Sequence, residues 1–264
     1  MGAASRVPFL AIPFGLAIGL VVGGIGGGGA ILALPVLVYV LGEHVSPAST
    51  SSLIVVALAA AEGAGSLARR GHVCWRLALT FSLPAAVGSF AGTVANRAVS
   101  GPVLILAFVP VMLVAAGATW QRAASARVDE LHPCPTVGVW PLTVSGFAVG
   151  VLTGFFGVGG GFVIVPVLTL WFGVVFRRAV ATSLVIITII GACALAIHIA
   201  AGATLDVPVT VALAASTAAG ALAGTRVAQR LPQHALGRAF ALLVTAVAIF
   251  LLVDTLAFGG PPGR

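Results

Sequence analysis

The sequence predicts an all-α polytopic membrane protein made of two inverted-topology repeats, each of about five hydrophobic segments, with glycine-broken helices near the bilayer midplane. Three observations predict it: a composition with little to solvate, a glycine motif that occurs twice, and arginines that gather on one set of loops. Hydrophobic residues make up 60% and charged residues 7% of the 264 positions. So few charges cannot cover a globular surface. Hydrocarbon offers backbone amides no water, so the chain must form helices or a closed barrel. Apolar runs of about 14 to 22 residues without strict alternation select helices.

In chain order the segments run over residues 7–24, 28–41, 49–68, 77–96 and 102–120, then 141–157, 161–175, 179–199, 207–225 and 239–257. Residues 1–120 form the first membrane repeat, 121–140 a linker and 141–264 the second repeat. The first segment of each half leads into a glycine tract, and the second is short. About 14 residues at 1.5 Å each reach about 21 Å, less than the ~30 Å hydrocarbon core, so 28–41 and 161–175 read as half-spans entered through the glycine break. The linker is polar, with Pro133, Pro135 and the acidic pair Asp129 and Glu130.

The duplication is visible residue by residue. At a shift of 131 (146 − 15), Gly15, Gly19, Gly23, Gly26, Gly28, Gly29, Pro35 and Ser52 fall on Gly146, Gly150, Gly154, Gly157, Gly159, Gly160, Pro166 and Ser183. The arginines set the orientation. If every segment crosses, ten of the 13 lie on one side, and only Arg6, Arg97 and Arg264 on the other. Basic loops stay in the cytoplasm, so the first side and the linker are cytoplasmic and both termini face outward. Each half then makes an odd number of net crossings, which inverts the second copy.

The net charge of +7 comes entirely from arginines in short loops, since the chain has no lysine. That pattern reports topology and implies no nucleic-acid partner. No signal-peptide pattern precedes the first segment, which is expected to stay in the bilayer. Cys74, Cys134 and Cys193 lie far apart without metal-ligand spacing and read as structural thiols. No cofactor motif, metal set or nucleophile and base pair marks an enzyme, so none of these is expected.

The double pattern GxxxGxxxGxxGxGGxxxxxP, read from Gly15 to Pro35 and again from Gly146 to Pro166 and followed by Ala181, Thr182, Ser183 and Leu184, resembles the TauE/SafE family of sulfite exporters. The resemblance implies an anion permease of the plasma (inner) membrane that moves sulfite or small organosulfonates outward. Ala30 stands where the second copy has Gly161, and Pro47 where it has Arg178, so the halves contribute unequally.

Glycine tracts can present bare backbone amides at a helix N-terminus, which attract an anion without a buried lysine. Gly26, Gly27, Gly28 and Gly29, with Gly157, Gly159, Gly160 and Gly161, are therefore candidate substrate-binding residues. The series Gly15, Gly19, Gly23 and Gly146, Gly150, Gly154 reads as helix-packing faces instead. Ser51 and Ser52, matched by Thr182 and Ser183, either donate to anion oxygens or bond their own backbone. Glu62 is the acidic residue best placed inside a span and is the candidate for proton coupling; the other reading has it reach Ser66, Arg69 or Arg70 on the same helix. His198 reads as interfacial and Arg97, matched to Gln229 once a one-residue shift is allowed (229 − 97 = 132), as a snorkelling or anion-attracting residue at the outer side. The reading is a secondary anion transporter with lipid and a small inorganic or organosulfur anion as partners. The alternative is a passive anion channel with an amide-lined constriction.

Overall fold

The computed structural model describes residues 7–26, 45–96, 101–125, 133–156, 161–200 and 207–258. Among these it is all helical: α1 (Val7–Ile25), α2 (Val45–Ala68), α3 (Trp75–Asn96), α4 (Gly101–Ser125), α5 (Val139–Phe156), α6 (Gly161–Leu170), α7 (Phe176–Ala200), α8 (Val207–Ala228) and α9 (Gln233–Phe258). Six of them, α2, α3, α5, α7, α8 and α9, are long and apolar enough to cross a membrane. The protein is thus a multi-pass membrane protein. The expected segments all fall on helices to within a few residues, apart from 28–41, which lies outside the described residues. Helix α6 has ten residues, or about 15 Å, and is buried along almost its whole length. It is too short to span, as expected for 161–175.

Glycine decides which helices pair. A Cβ on Gly19 would lie 2.0 Å from the Thr217 carbonyl oxygen, and one on Gly23 would lie 2.1 Å from that of Ala221. From the other side, a Cβ on Gly220 or Gly224 would strike the carbonyls of Leu16 and Leu20 at 2.4 and 2.3 Å. Helices α1 and α8 therefore touch backbone to backbone, with both sequences rising in the same direction. The second such pair is α3 with α5: Gly150 and Gly154 leave 2.1 and 1.9 Å to the carbonyls of Ala85 and Ser89, and Gly88 and Gly92 face Phe147 and Val151. The packing role expected for the two glycine series holds. Their partners Gly88, Gly92, Gly220 and Gly224 are an addition.

Between these pairs α2 packs against α7, with Gly63 opposite Leu184 and Gly191 opposite Ala57, so the two run antiparallel. Gly63 also neighbours Thr225 and Gly23, and Ser51, about three turns back, bonds to Thr210, so α2 runs in the same direction as α8 and hence as α1. The Cys74 amide bonds to Thr182, so α3 and α7 begin at the same level and run together in the other direction. At that level Gly237 of α9 packs on Ala123 of α4, and the Arg238 guanidinium lies 5.5 Å over the Trp120 ring. One end of the bundle consequently carries every arginine whose side chain is described: Arg69, Arg70, Arg76, Arg177, Arg178, Arg226, Arg230 and Arg238. The protein's four tryptophans, Trp75, Trp120, Trp140 and Trp171, are exposed at the same end, as in an aromatic interfacial belt. On α3, Leu79, Leu83, Val87, Phe90 and Val94 form an exposed apolar stripe toward lipid.

The glycine contacts make a differential test. Gly19→Leu and Gly150→Leu are expected to prevent a monodisperse, folded protein, because the added side chain must displace a carbonyl of the facing helix. Gly117→Ala, where nothing lies within 4 Å, is expected to fold normally and to gain about 0.5 to 1 kcal/mol from helix propensity. Size-exclusion profiles and thermal unfolding of the three purified variants distinguish these outcomes.

Candidate functional site

Helix α1 stops where its glycine tract begins. Gly26 adopts φ +82°, and its N–H bonds to the Val22 carbonyl at 2.8 Å, the left-handed cap that glycine accepts without strain. A Cβ there would lie 3.1 Å from the Ser183 hydroxyl and 3.3 and 3.4 Å from Val180 and Val165. Gly26 thus meets Val165 of α6 and Val180 and Ser183 of α7. Ser183 is fully buried and donates to the Val180 carbonyl at 2.8 Å. The Thr182 hydroxyl, equally buried, accepts from the Cys74 amide at 3.1 Å.

Gly26 and Ser183 are therefore brought together, whereas the hydroxyl of Thr182, next to Ser183 in the chain, is taken by the Cys74 amide. Ser51 and Ser52 are not part of that group. Ser51 is buried near the start of α2 and shares a 2.9 Å hydrogen bond with Thr210 of α8. With α2 and α7 antiparallel and Leu184 opposite Gly63, Ser52 and Ser183 stand about 12 residues, or about 18 Å, apart along the axis. Gly161 is buried at the N-terminus of α6, and the adjacent Phe162 ring meets Phe108 of α4 edge to face at 5.1 Å. Gly27, Gly28, Gly29, Gly157, Gly159 and Gly160 lie outside the described residues, as do Arg97 and the side chain of His198. Glu62 is exposed on the side of α2 that also exposes Leu58, one turn earlier.

The arginine-bearing end holds an arrangement that counting arginines for topology did not reveal. Arg177 of α7 donates to the carbonyls of Gln229 and Leu231 at 3.1 and 3.0 Å, satisfying groups that the end of α8 leaves without helical partners. Arg70, just past α2, donates to the Gln229 side-chain oxygen. Arg178 donates through Nη1 to the Gly71 carbonyl and to Cys134 Sγ, each at 3.3 Å. Cys134 forms a disulfide with Cys74, 60 residues away, tying the linker to the turn between α2 and α3. These two cysteines are thus bonded, and Cys193 is the free, exposed one. Paired basic residues at 69–70 and 177–178, each at a helix boundary, were the available signal for this cluster.

A cavity of about 10 Å³, lined in part by Gly23, Gly24, Arg177, Val180, Thr225 and Gln229, lies between the cluster and the Gly26–Ser183 contact. It has room for one water. Val180 borders both the cavity and Gly26. Burial, and then the charges of Arg177, Arg178 and Arg70, hold the pKa of His72 below its ordinary 6.5.

Residues 11–251 match the family described as Sulfite exporter TauE/SafE. The chain belongs to the TauE/SafE family. Among curated relatives, a "Probable membrane transporter protein" from one strain of Xylella fastidiosa is 31% identical over 239 residues, covering 89% of this chain and 91% of the relative. Its counterpart from a second strain is 32% identical over 242 residues, with the same coverage. No solved structure matches the chain. This TauE/SafE protein is therefore a member of a membrane transporter family.

Two measurements probe the arginine-bearing end. Peptide mapping of protein alkylated without reduction is expected to find Cys74 joined to Cys134 and Cys193 alkylated. Cys134→Ser is expected to lower the unfolding temperature, because a loop of this length stabilises by about 2 to 4 kcal/mol when closed. His72 resists protonation in the folded state and takes a proton at about pH 6.5 when unfolded. Its contribution is intact above that pH and is lost on acidification through the lowered folded value. The unfolding temperature is expected to fall between about pH 7.5 and about pH 5.5, and to fall less in His72→Asn.

Proposed function

We propose that this protein is a secondary transporter that exports small anions, sulfite or organosulfonates, through two inverted repeats, residues 1–120 and 141–264, joined by a cytoplasmic linker, 121–140. The observation that carries the reading is the contact of Gly26 with Ser183, which sets the end of the first glycine helix against the buried hydroxyl pair of the second half. Helix boundaries support the repeat: α1, α2, α3 and α4 recur as α5, α7, α8 and α9, for example at 131 residues for α2 and α7 (176 − 45). The backbone pair α1 and α8 becomes α5 and α3 under the same exchange. The antiparallel course of α2 and α7 supports inversion.

In this reading an anion passes between two half-sites. One comprises the first glycine tract, Gly26 to Gly29, with Thr182 and Ser183; the other comprises Gly157, Gly159, Gly160 and Gly161 with Ser51 and Ser52. Amides and hydroxyls suit an oxyanion because they donate without introducing a buried permanent charge. Clustered arginines at one end support a cytoplasmic position for that end, in which the Cys74–Cys134 pair would be reduced in the cell and oxidised on purification.

Flux of sulfite into proteoliposomes, with and without an imposed pH gradient, tests the proposal. Saturable uptake that Ser183→Ala slows at least tenfold is expected. Single-channel currents would establish the channel instead, and the absence of flux across sulfite and sulfonates would remove the substrate. Glu62→Gln is expected to keep downhill flux and lose accumulation driven by protons; unchanged accumulation takes Glu62 out of the mechanism.

A further inference from the structure

We propose that the arginine-bearing end contains an oxyanion-binding site formed by Arg178, His72 and Gln229, separate from the Gly26–Ser183 half-site. Three buried polar atoms there have no hydrogen-bond partner: Arg178 Nε, His72 Nδ1 and Gln229 Nε2. A buried donor without an acceptor costs on the order of 1–3 kcal/mol, and Arg178 Nε and Gln229 Nε2 are two such donors at the same end of the bundle, so they favour a ligand that accepts. Arg178 never deprotonates and the Gln229 amide nitrogen only donates. His72 Nδ1 becomes a third donor in the Nδ1–H tautomer.

The surrounding bonds hold these donors in place. Arg178 is anchored through Nη1 to Gly71 and Cys134, which leaves its Nε edge, the edge that matches two oxygens of a carboxylate, phosphate or sulfonate. The Gln229 side-chain oxygen is taken by Arg70, and its backbone carbonyl by Arg177. Gln229 is thus oriented by its oxygens, and its nitrogen is what remains. Gly71 and His72 are adjacent, so the Arg178 bond to Gly71 places the guanidinium beside the imidazole.

Electrostatics select the sign of the ligand independently. The charges that act on His72 are those of Arg177, Arg178 and Arg70, all positive. Two of these arginines occupy the first turn of α7, the positive end of its dipole, where no acidic residue is present. A cation is repelled from such a place. Donors carried by three separate elements, the α2–α3 turn, α7 and the end of α8, suit a ligand with several acceptor oxygens better than a single-point halide. The chemistry is that of a sulfur or phosphorus oxyanion, either free in solution or carried by an anionic lipid headgroup.

Binding can be tested without transport. Full-length protein in lipid-free detergent and in phosphatidylcholine nanodiscs is titrated with [35S]sulfate, with sulfite and inorganic phosphate as competitors. Saturable binding is expected, weakened at least tenfold in Arg178→Gln and unchanged in Arg230→Gln, which removes an exposed arginine from the same end. Gln229→Glu keeps an oxygen for Arg70 and replaces the free donor with a carboxylate; it is expected to fold and to lose binding, so the test survives if Arg178→Gln misfolds. Nanodiscs containing phosphatidylglycerol assign the source: suppressed sulfate binding identifies the headgroup phosphate, and unchanged binding identifies the free anion. No saturable binding in either lipid-free or phosphatidylcholine samples overturns the site, as does equal weakening by Arg230→Gln. Because transport is not read, loss of sulfite flux with retained binding would count against the transport reading and leave this site standing.

Discussion

The structure depends on carbonyl oxygens of one helix resting where a facing helix has glycine instead of a Cβ. In lipid, helices gain nothing by hiding apolar side chains from a solvent that is itself apolar, so association rests on close van der Waals contact and weak Cα–H···O bonds. The two pairs built this way, α1 with α8 and α3 with α5, each take one helix from either half. Closing them interlocks the halves along both flanks. The centre is left to α2, α7 and the short α6, which bury larger side chains such as Phe162, Ile164, Leu168, Leu184 and Ile186 among alanine, valine, serine and threonine. Glycine in a helix costs about 1 kcal/mol in water. A bilayer reduces that penalty, since an unwound backbone there has no water to bond.

That packing also determines where polar chemistry can be. Backbone contact leaves no room for charge between the paired helices, and the described arginines all lie at one end. Some are used structurally: Arg177 caps α8 and Arg238 lies over Trp120. Inside the bundle the buried polar groups are hydroxyls, most of which bond a carbonyl three or four residues back, as do Thr153, Ser183 and Thr217. Ser51 and Thr182 differ. They bond across helices, to Thr210 and to the Cys74 amide, and so fix the ends of α2 and α7 against their neighbours.

Much of this was legible because membrane helices write their length and packing faces into local sequence. The segments, the half-span at Gly161 and the glycine faces all follow from spacing within about 20 residues. Gly88, Gly92, Gly220 and Gly224 escaped because they sit among alanines and serines, where a small residue carries little contrast. The arginine cluster and the disulfide escaped for a different reason. Arg70 with Gln229, Arg178 with Gly71, and Cys74 with Cys134 join residues 159, 107 and 60 positions apart. No periodicity encodes such a meeting. Glu62 shows the limit of hydropathy: its segment is a span, but the side of the helix it occupies is exposed, and only packing reveals that.

The two halves have kept their glycines and lost their equivalence at the ends. Packing positions recur at the 131-residue shift because both helix pairs solve the same steric problem, and a carbonyl contact of about 2 Å tolerates nothing larger than glycine. The ends meet different compartments. Arg178 stands against Pro47 at the 131-residue shift and Gln229 against Arg97 at 132 (229 − 97), so the oxyanion site proposed for Arg178 and Gln229 has no matching pair in residues 1–120. Such asymmetry concentrates anions within about a Debye length, ~8 Å, of one face and speeds their arrival there. It cannot set the direction of net movement, because a fixed charge that attracts an anion also slows its release into the same compartment. In the transport cycle proposed above, direction would then come from a gradient acting on the exchange between half-sites, and the arginines would govern only how often that exchange begins with an anion in place.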